Sequence, residues 1–475
     1  MKRTSLARTI EAAIFAAAIA ATGSHAIRAA QSANPAPDAY SANDRAPDPR
    51  LKADILVVVA HPDDETLASA YLAREINDEH KRVAIVYGTH GDAGNNDIGP
   101  EQASAMGLIR EFEARQVASA LGATSVWFLT GRDTVSQNVL NSLEHWGHGA
   151  CLEQLVRIVR LTRPPVILTF LPDFTTGENH ADHQAAGVLA TEAFDLAGDR
   201  SVFAEQVSPA SNPDKNTNLT EGLSPWQPQK IYYFYNPTHD IFTGQGPQYS
   251  SAEISPSRHL TYGDLAAEAF SLHRTQGGDA IRRAIDNHAL ASSGSPIARM
   301  VTGPVRLIFG KSLAPSGVTD DVFAGVVAGG IPFQRPPGPN AAEDSAPVLE
   351  IGDPWSYYRG FWRAHGLDRL ASVVPVEITV KVGGSLAIPL IVENPTDRTI
   401  RVNLSMQAPD GWEVTPLAPV SVDPHARYYL RVQATAPSTK LAGWQQFSVS
   451  AQEGNQRIGV VPIRVELSTG WVAPE

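Results

Sequence analysis

The sequence predicts two folded domains: an α/β domain with a mostly parallel sheet and helices on both faces, then an all-β sandwich. Three observations carry this. Between about residues 54 and 196, short β-branched runs alternate with helical patterns, the signature of strand–helix–strand units. From about Val374 the helices stop, and strands of alternating polarity follow one another across turns. The 475 residues exceed one ordinary domain. Their 43% hydrophobic and 19% charged content suits packed cores rather than disorder.

At the N-terminus, Lys2, Arg3 and Arg8 precede an apolar stretch from Ala12 to about Thr22, with Glu11 at its edge. Ser24-His25-Ala26 then supplies small residues at the −3 and −1 positions of a cleavage site. Residues 1–26 therefore read as a secretory signal peptide. The apolar stretch is shorter than the roughly 20 residues of a spanning helix. The expectation is a secreted or periplasmic protein with no stable membrane span. Residues 27–50, rich in Ala, Pro, Ser and Asp, read as a flexible leader.

The α/β domain is expected over residues 51–326. Asp54–Ala60 (DILVVVA) is an uninterrupted run, as in a strand buried on both faces. A helical pattern from about Glu65 to Glu79 leads to a second strand, Val83–Tyr87, and a glycine-rich loop, Gly88–Gly99. Glu101–Leu121 is helical and stops at Gly122, a C-cap residue. Further strands are expected at Ser125–Leu129, Val166–Leu171 and Ile231–Tyr235, with helices at Cys151–Thr162, His183–Leu196 and Leu260–Leu272. This alternation defines a Rossmann-like domain, whose ligands bind beyond the carboxyl ends of the strands. Residues 61–65, 88–94 and 172–183 all fall at that edge.

Residues 327–371 read as a linker that is proline-rich and then aromatic: WSYYRGFW (355–362) suits a helix packed between domains better than a sugar platform. Residues 372–475 form the predicted sandwich, punctuated by turns such as Asn394-Pro395-Thr396-Asp397 and Pro409-Asp410-Gly411.

The first strand runs into Ala60-His61-Pro62-Asp63-Asp64-Glu65, and the fourth leads to Asn179-His180-Ala181-Asp182-His183. Alone, the acidic run reads as a helix N-terminus, and the His-x-x-His as two solvated histidines. Together, at one sheet edge, they read as a metal site. Imidazole and carboxylate suit a catalytic zinc, which has three protein ligands and one open position. His61 and Asp64, three apart at a strand–helix turn, face one point, and His183 completes the set. Asp63 is then placed as the base for metal-bound water, and His180 to donate a proton. Asp182 is placed to fix an imidazole in one tautomer. The single cysteine, Cys151, excludes a cysteine-rich zinc site and reads as buried and inert.

These paired segments resemble the PIG-L (LmbE-like) deacetylases, zinc-dependent enzymes that remove acetyl groups from N-acetylglucosamine-containing substrates. Thr89-His90-Gly91-Asp92-Ala93-Gly94 resembles the family's T-x-G-E/D-x-G loop. Arg110 to Ala114 with Leu121-Gly122 resembles its R-x-x-E-A…LG helix, and His273-Arg274-Thr275-Gln276 its H-x-S-Q segment, with Thr for Ser. Ala181 stands where the family has Pro. The resemblance covers about residues 52–310. It implies one Zn²⁺ per chain held by His61, Asp64 and His183, with Asp63 as general base and His180 as general acid or oxyanion stabiliser. It further implies Asp182 as a supporting residue and Arg110 as a substrate contact, although a structural ion pair suits Arg110 equally. His90, His145, His148 and His273 receive no ligand role. The C-terminal region is similar to the NEW-type immunoglobulin-like domain appended to secreted glycosidases, through Val392–Asp397 and Ala408–Trp412. A spacer role is expected for it ahead of binding to cell-envelope polysaccharide.

The expected function is thus a secreted deacetylase of a GlcNAc-containing sugar or glycoconjugate. Two readings compete with it: an amidase on a larger N-acyl amino-sugar conjugate, and a non-catalytic carbohydrate-binding surface protein. The formal charge of −12 speaks against a nucleic-acid partner.

Overall fold

The computed structural model describes residues 48–174, 180–208, 222–234, 242–292, 294–338 and 346–469. All of them lie in one compact unit, Asp44–Glu475. The expected signal peptide, most of the leader, and residues 175–179 of the loop before His180 lie outside the described residues.

The first part of the chain alternates as the periodicity predicts. β1 (Ile55–Val59) leads to α1 (Ser69–Asn77), β2 (Val83–Tyr87), α2 (Ala103–Leu121), and β3 (Ser125–Phe128). α3 (Val139–Trp146), α4 (His148–Thr162), β4 (Val166–Phe170), α5 (Ala181–Leu196) and β5 (Lys230–Phe234) follow. Then come α6 (Tyr262–Phe270), α7 (Gly278–Asp286), α8 (Pro296–Thr302) and β6 (Ile308–Ser312). α2 closes on Gly122 at a φ of 90°. The strands form a six-stranded sheet in the order β3-β2-β1-β4-β5-β6. The first five strands are parallel, and β6 is antiparallel to β5.

All five residues of β1 are buried, and successive ones enter opposite cores. Leu56 and Val58 pack with Leu143, Leu155 and Leu189 from α3, α4 and α5. Ile55, Val57 and Val59 pack with Leu72, Val117 and Ala266 from α1, α2 and α6. Burial on both faces is what lets an unbroken apolar run form a strand here. Strand order reverses at β1, which has β2 on one side and β4 on the other. The carboxyl ends of β1 and β4 therefore flank the crevice in which doubly wound sheets hold ligands.

Residues 145–148 join two helices. His145 and Trp146 close α3, which Asn138 caps by accepting from the Leu140 N–H at 3.0 Å, and His148 opens α4. Cys151 consequently lies inside α4 rather than at its start, fully buried, with its Sγ donating to the Trp146 carbonyl.

β7 (Val348–Ile351) and α9 (Pro354–Ala364) precede β8 (Val376–Lys381), β9 (Ser385–Asn394), β10 (Ile400–Gln407) and β11 (Glu413–Val414). β12 (Val420–Val422), β13 (Ala426–Thr435), β14 (Trp444–Glu453) and β15 (Gln456–Ser468) follow. They make one five-stranded sheet, β8-β15-β14-β10-β12, and one four-stranded sheet, β11-β13-β9-β7, around a shared core. Every pairing is antiparallel except β8 with β15. The Asn394 amide accounts for its turn. It donates to the carbonyls of Arg398, Val422 and Asp423 and accepts from the Thr396 N–H and hydroxyl. No helix among the described residues is long and apolar enough to cross a membrane.

Glu75 on α1 is an exception to apolar packing, only 3% exposed. Burial, reinforced by the charge of Asp321, pushes its carboxyl up from 4.5 to about 7. A carboxyl whose folded pKa is raised holds its proton more tightly folded than unfolded. Stability is then full below the unfolded pKa and falls as pH rises through about 7. Glu75→Gln removes that penalty, on the order of 3 kcal/mol once ionisation is complete. Thermal melting should show the variant more stable than the parent near about pH 8 and equal to it near about pH 4.

Candidate active site

The turn after β1 carries three of the expected residues. The His61 N–H donates to Asp64 Oδ2 at 2.7 Å, which folds the turn back on itself. Asp63 sits at φ 130°, ψ −19°, a conformation that non-glycine residues rarely adopt. Glu65 anchors it from below. Its Oε2 accepts from the Asp63 N–H at 3.2 Å and from the Tyr87 hydroxyl at 2.9 Å, and its Oε1 meets His273 Nε2 at 2.7 Å. Glu65 and His273 are both fully buried. His273 thus supports the turn through Glu65.

The second half comes from the start of α5. His180 is its N-cap, with Nδ1 accepting from the Asp182 N–H at 3.4 Å. His183 stands one turn in, its ring stacked on Phe170 at the end of β4, with centroids 4.1 Å apart. His183 Nε2 meets Asp64 Oδ1 at 3.1 Å, and His61 Nδ1 meets Asp64 Oδ2 at 3.4 Å. Two ligands at about 2.1 Å from a tetrahedral zinc lie about 3.4 Å apart. His61, Asp64 and His183 therefore suit a metal ion in donor type, and each ring stands from one oxygen of Asp64 at about that spacing. His180 belongs to the same cluster, since ring nitrogens of His61, His180 and His183 lie within 4.8 Å of one another.

Asp182 stands beside the His61 ring, where an orienting carboxylate is expected, and Asp133, a residue missed in the sequence, stands closer. His61 Nε2 meets Asp133 Oδ1 at 3.0 Å and Asp182 Oδ2 at 3.5 Å. Carboxylates on Nε2 hold the ring proton there and leave the Nδ1 lone pair facing Asp64. Asp182 is itself fixed by the Thr134 N–H at 2.7 Å and hydroxyl at 2.8 Å. Asp133 and Thr134 come from the loop after β3, a fourth polar segment at the carboxyl edge. Their position beyond a parallel strand was the available signal.

Arg110 is 3% exposed and is not free to reach outward. Its Nη2 donates to Asp63 Oδ1 at 2.9 Å and to the Pro62 carbonyl at 2.6 Å, and its Nη1 to the Gly91 carbonyl at 2.9 Å. This is the ion-pair alternative, with Asp63 as the partner. One turn on, Glu113 accepts from the Thr275 N–H at 3.0 Å and hydroxyl at 2.6 Å. Threonine therefore supplies a hydroxyl where the family has serine. His90 stacks on Phe128, 4.8 Å between centroids, and approaches Glu111. His148 pairs with Glu192 at 2.6 Å.

The glycine-rich loop lies against the guanidinium. A Cβ on Gly91, at φ +67°, would fall 2.5 Å from Arg110 Cζ. Gly91→Ala should therefore cost about 1–3 kcal/mol in backbone strain and displace Arg110 from Asp63. The check is a lower melting temperature together with a lower kcat.

Charges are arranged unevenly. Burial pushes the Asp63 carboxyl up to about 6, despite the opposing charge of Arg110. Burial also acts to raise Asp64, but the His183 and His61 rings outweigh it and hold Asp64 well below the usual carboxylate range. Burial, then the neighbouring His183 and His61, drives His180 down to about 4, so its ring is neutral near pH 7. Two adjacent carboxyls pushed apart in this way point to separate roles, one binding an ion and one moving protons.

Residues 56–194 match the family described as PIG-L: GlcNAc-PI de-N-acetylase. The chain is 28% identical over 307 residues to a 1D-myo-inositol 2-acetamido-2-deoxy-alpha-D-glucopyranoside deacetylase of Frankia alni, covering 56% of this chain and 99% of that one. It is 28% identical over 205 residues to the enzyme of the same name from Streptomyces scabiei, covering 40% of this chain and 58% of that one. Among solved structures, the N,N'-diacetylchitobiose deacetylase of Pyrococcus horikoshii matches 50% of this chain and 76% of its own, at 21% identity and a TM-score of 0.34. The stretch that carries His61, Asp63, Asp64 and His183 is thus similar, over residues 56–194, to the PIG-L family of de-N-acetylases.

Proposed function

We propose that this protein is a metal-dependent N-deacetylase acting on the acetamido group of a GlcNAc-type sugar or glycoconjugate. One observation carries the reading: Asp63, a partly buried carboxyl raised to about 6, stands beside His61, Asp64 and His183, with Asp64 facing both rings. The similarity to GlcNAc-inositol deacetylases supports the substrate class, and the His/Asp donor set supports zinc. When bound, such an ion lowers the pKa of water at the site and polarises the acetyl carbonyl.

The chain's own residues do the rest. Arg110 fixes Asp63 Oδ1, which aims the carboxylate at the attacking water. Asp63 takes the water's proton as the oxygen–carbon bond forms. With Nδ1 of His180 accepting from the backbone, its proton sits on Nε2, where the neutral ring donates a hydrogen bond to the developing oxyanion. A neutral imidazole is a poor source of a full proton, so Asp63 returns the proton to the sugar nitrogen as the carbon–nitrogen bond breaks. Acetate and a free amine leave.

The proposal includes export. N-terminal sequencing of protein recovered outside the cytoplasm should begin at Ile27. The activity is tested by incubating the metal-loaded protein with GlcNAc, chitooligosaccharides and GlcNAc-inositol. Free acetate from at least one is the expected result. Release of a longer acid from other N-acyl sugars, with no acetate from these, would replace this reading by a broader amidase. Release of neither would leave a carbohydrate-binding protein.

A further inference from the structure

We infer that α9, the aromatic helix beyond the α/β domain, is a positioning element of the active site, acting through Tyr358 and Trp362. The inference rests on the metal-centre reading above. α9 buries Trp355, Tyr358, Phe361 and Trp362, spaced to share one face. Tyr358, Phe361 and Trp362 enter the same core as Leu171, Ala185, Ala186 and Leu189, whereas Trp355 enters the core of the sandwich.

The polar contacts fall on both flanks of the histidine segment. The Tyr358 hydroxyl donates to Gln184 Oε1, on the residue that follows His183. Trp362 Nε1 donates to the Pro172 carbonyl at 3.3 Å, just beyond β4. The Trp355 ring meets Phe174 edge-on, 6.3 Å between centroids. Arg359 lies over the Trp362 ring at 4.3 Å, and its charge acts on the carboxyl of Asp173. The far end of α5 is fastened to the same stretch. Asp195 accepts from Lys311 and pairs with His365 Nδ1 at 2.7 Å, and Lys311 donates to the His365 carbonyl at 2.7 Å.

Helix α5, which carries Asp182 and His183, is thus held at its first and last turns by residues 358–365. It also has little room to slide along β4, because a Cβ on Gly187 would fall 2.3 Å from the Phe170 carbonyl oxygen. Ligand geometry needs this kind of support, since residues that orient a ligand typically govern about 10- to 100-fold in metal affinity.

The test uses the full chain in three forms: Tyr358→Phe, Trp362→Phe, and Tyr357→Phe as a control that removes a hydroxyl from the same helix. Hydrogen exchange of the 181–190 amides is followed in the metal-free protein. Cobalt(II) affinity is measured by chelator competition, and kcat and KM on the substrate that releases acetate. Tyr358→Phe should exchange faster over 181–190, bind cobalt about tenfold more weakly and lose about tenfold in kcat with KM nearly unchanged. The control should match the parent. Faster exchange in Tyr358→Phe with no cobalt binding by any form, parent included, would uphold the positioning role while removing the metal reading. A fall in melting temperature alone, with exchange, cobalt affinity and kcat within twofold of the parent for both Tyr358→Phe and Trp362→Phe, would overturn the inference.

Discussion

Asp63→Asn will lower kcat by about 10²- to 10⁴-fold, the range that a positioned general base supplies, and will leave metal stoichiometry unchanged. The substitution keeps shape and removes basicity. Asn Oδ1 still accepts from Arg110 Nη2, which lies 2.9 Å from Asp63 Oδ1. Asn also shares with Asp the tolerance for positive φ that this position, at 130°, demands. Ala would lose the Arg110 contact as well and confuse two effects. A variant that kept more than about a tenth of the parent's kcat would remove Asp63 from the chemistry. The pH profile adds a second readout. Only the ionised carboxylate accepts a proton, so activity falls on the acid side as Asp63 protonates, at or below about pH 6. A bound cation moves that limb lower, because positive charge favours the carboxylate. The residual activity of Asp63→Asn should lack the limb altogether.

The backbone at Asp63 is strained. A residue at φ 130° persists only where its surroundings over-determine it. Here Glu65 accepts from its N–H, and Arg110 holds both its carboxylate and the preceding carbonyl. Glu65 in turn is fixed by Tyr87 from β2 and by His273 from far along the chain. The sheet edge, the loop beyond α6 and helix α2 therefore converge on one peptide. Gly91 and Gly94 of the loop after β2 leave clearance for Arg110, which a Cβ on either would meet.

What the sequence revealed follows from how local each signal is. A buried parallel strand must be apolar on both faces, so the runs of β1, β2 and β4 announce themselves, and their ends place His61 and His183 at one edge. Asp64 and Asp63 sit within a few residues of His61 and were found with it. Asp133 is 72 residues from His61 and has no spacing relation to it. Only the neighbouring positions of β1, β2 and β3 in the sheet bring it to Nε2. Arg110 carried an ambiguous signal for the same reason, since a buried arginine and a substrate-facing one look alike on a helix. Helix α3 escaped notice because it is short and begins and ends among polar residues. Strand β7 escaped because its partner, β9, lies on the far side of α9, and pairing at that distance leaves no local pattern.

Asp64→Asn will cost more metal affinity than the roughly 10- to 100-fold that loss of a supporting carboxylate costs, while Asp133→Asn will fall within that range. Asp64 is the group that faces both histidines, Oδ1 toward His183 and Oδ2 toward His61. Asn puts a neutral amide there and takes the only negative ligand from the set. Asp133 touches only the far nitrogen of His61, so its loss loosens the ring without removing a ligand. The order of the two effects decides which side of His61 holds the ion. A second group of donors, His61 with Asp133 and Asp182, is also close enough to bind a cation, and it would use Nε2 of His61 in place of Nδ1. If the ion sat there, Asp133→Asn would be the more damaging change, and His183→Ala would leave binding nearly intact. Titration of the three variants with cobalt(II) separates the cases, because His183→Ala removes a ligand from one arrangement and none from the other.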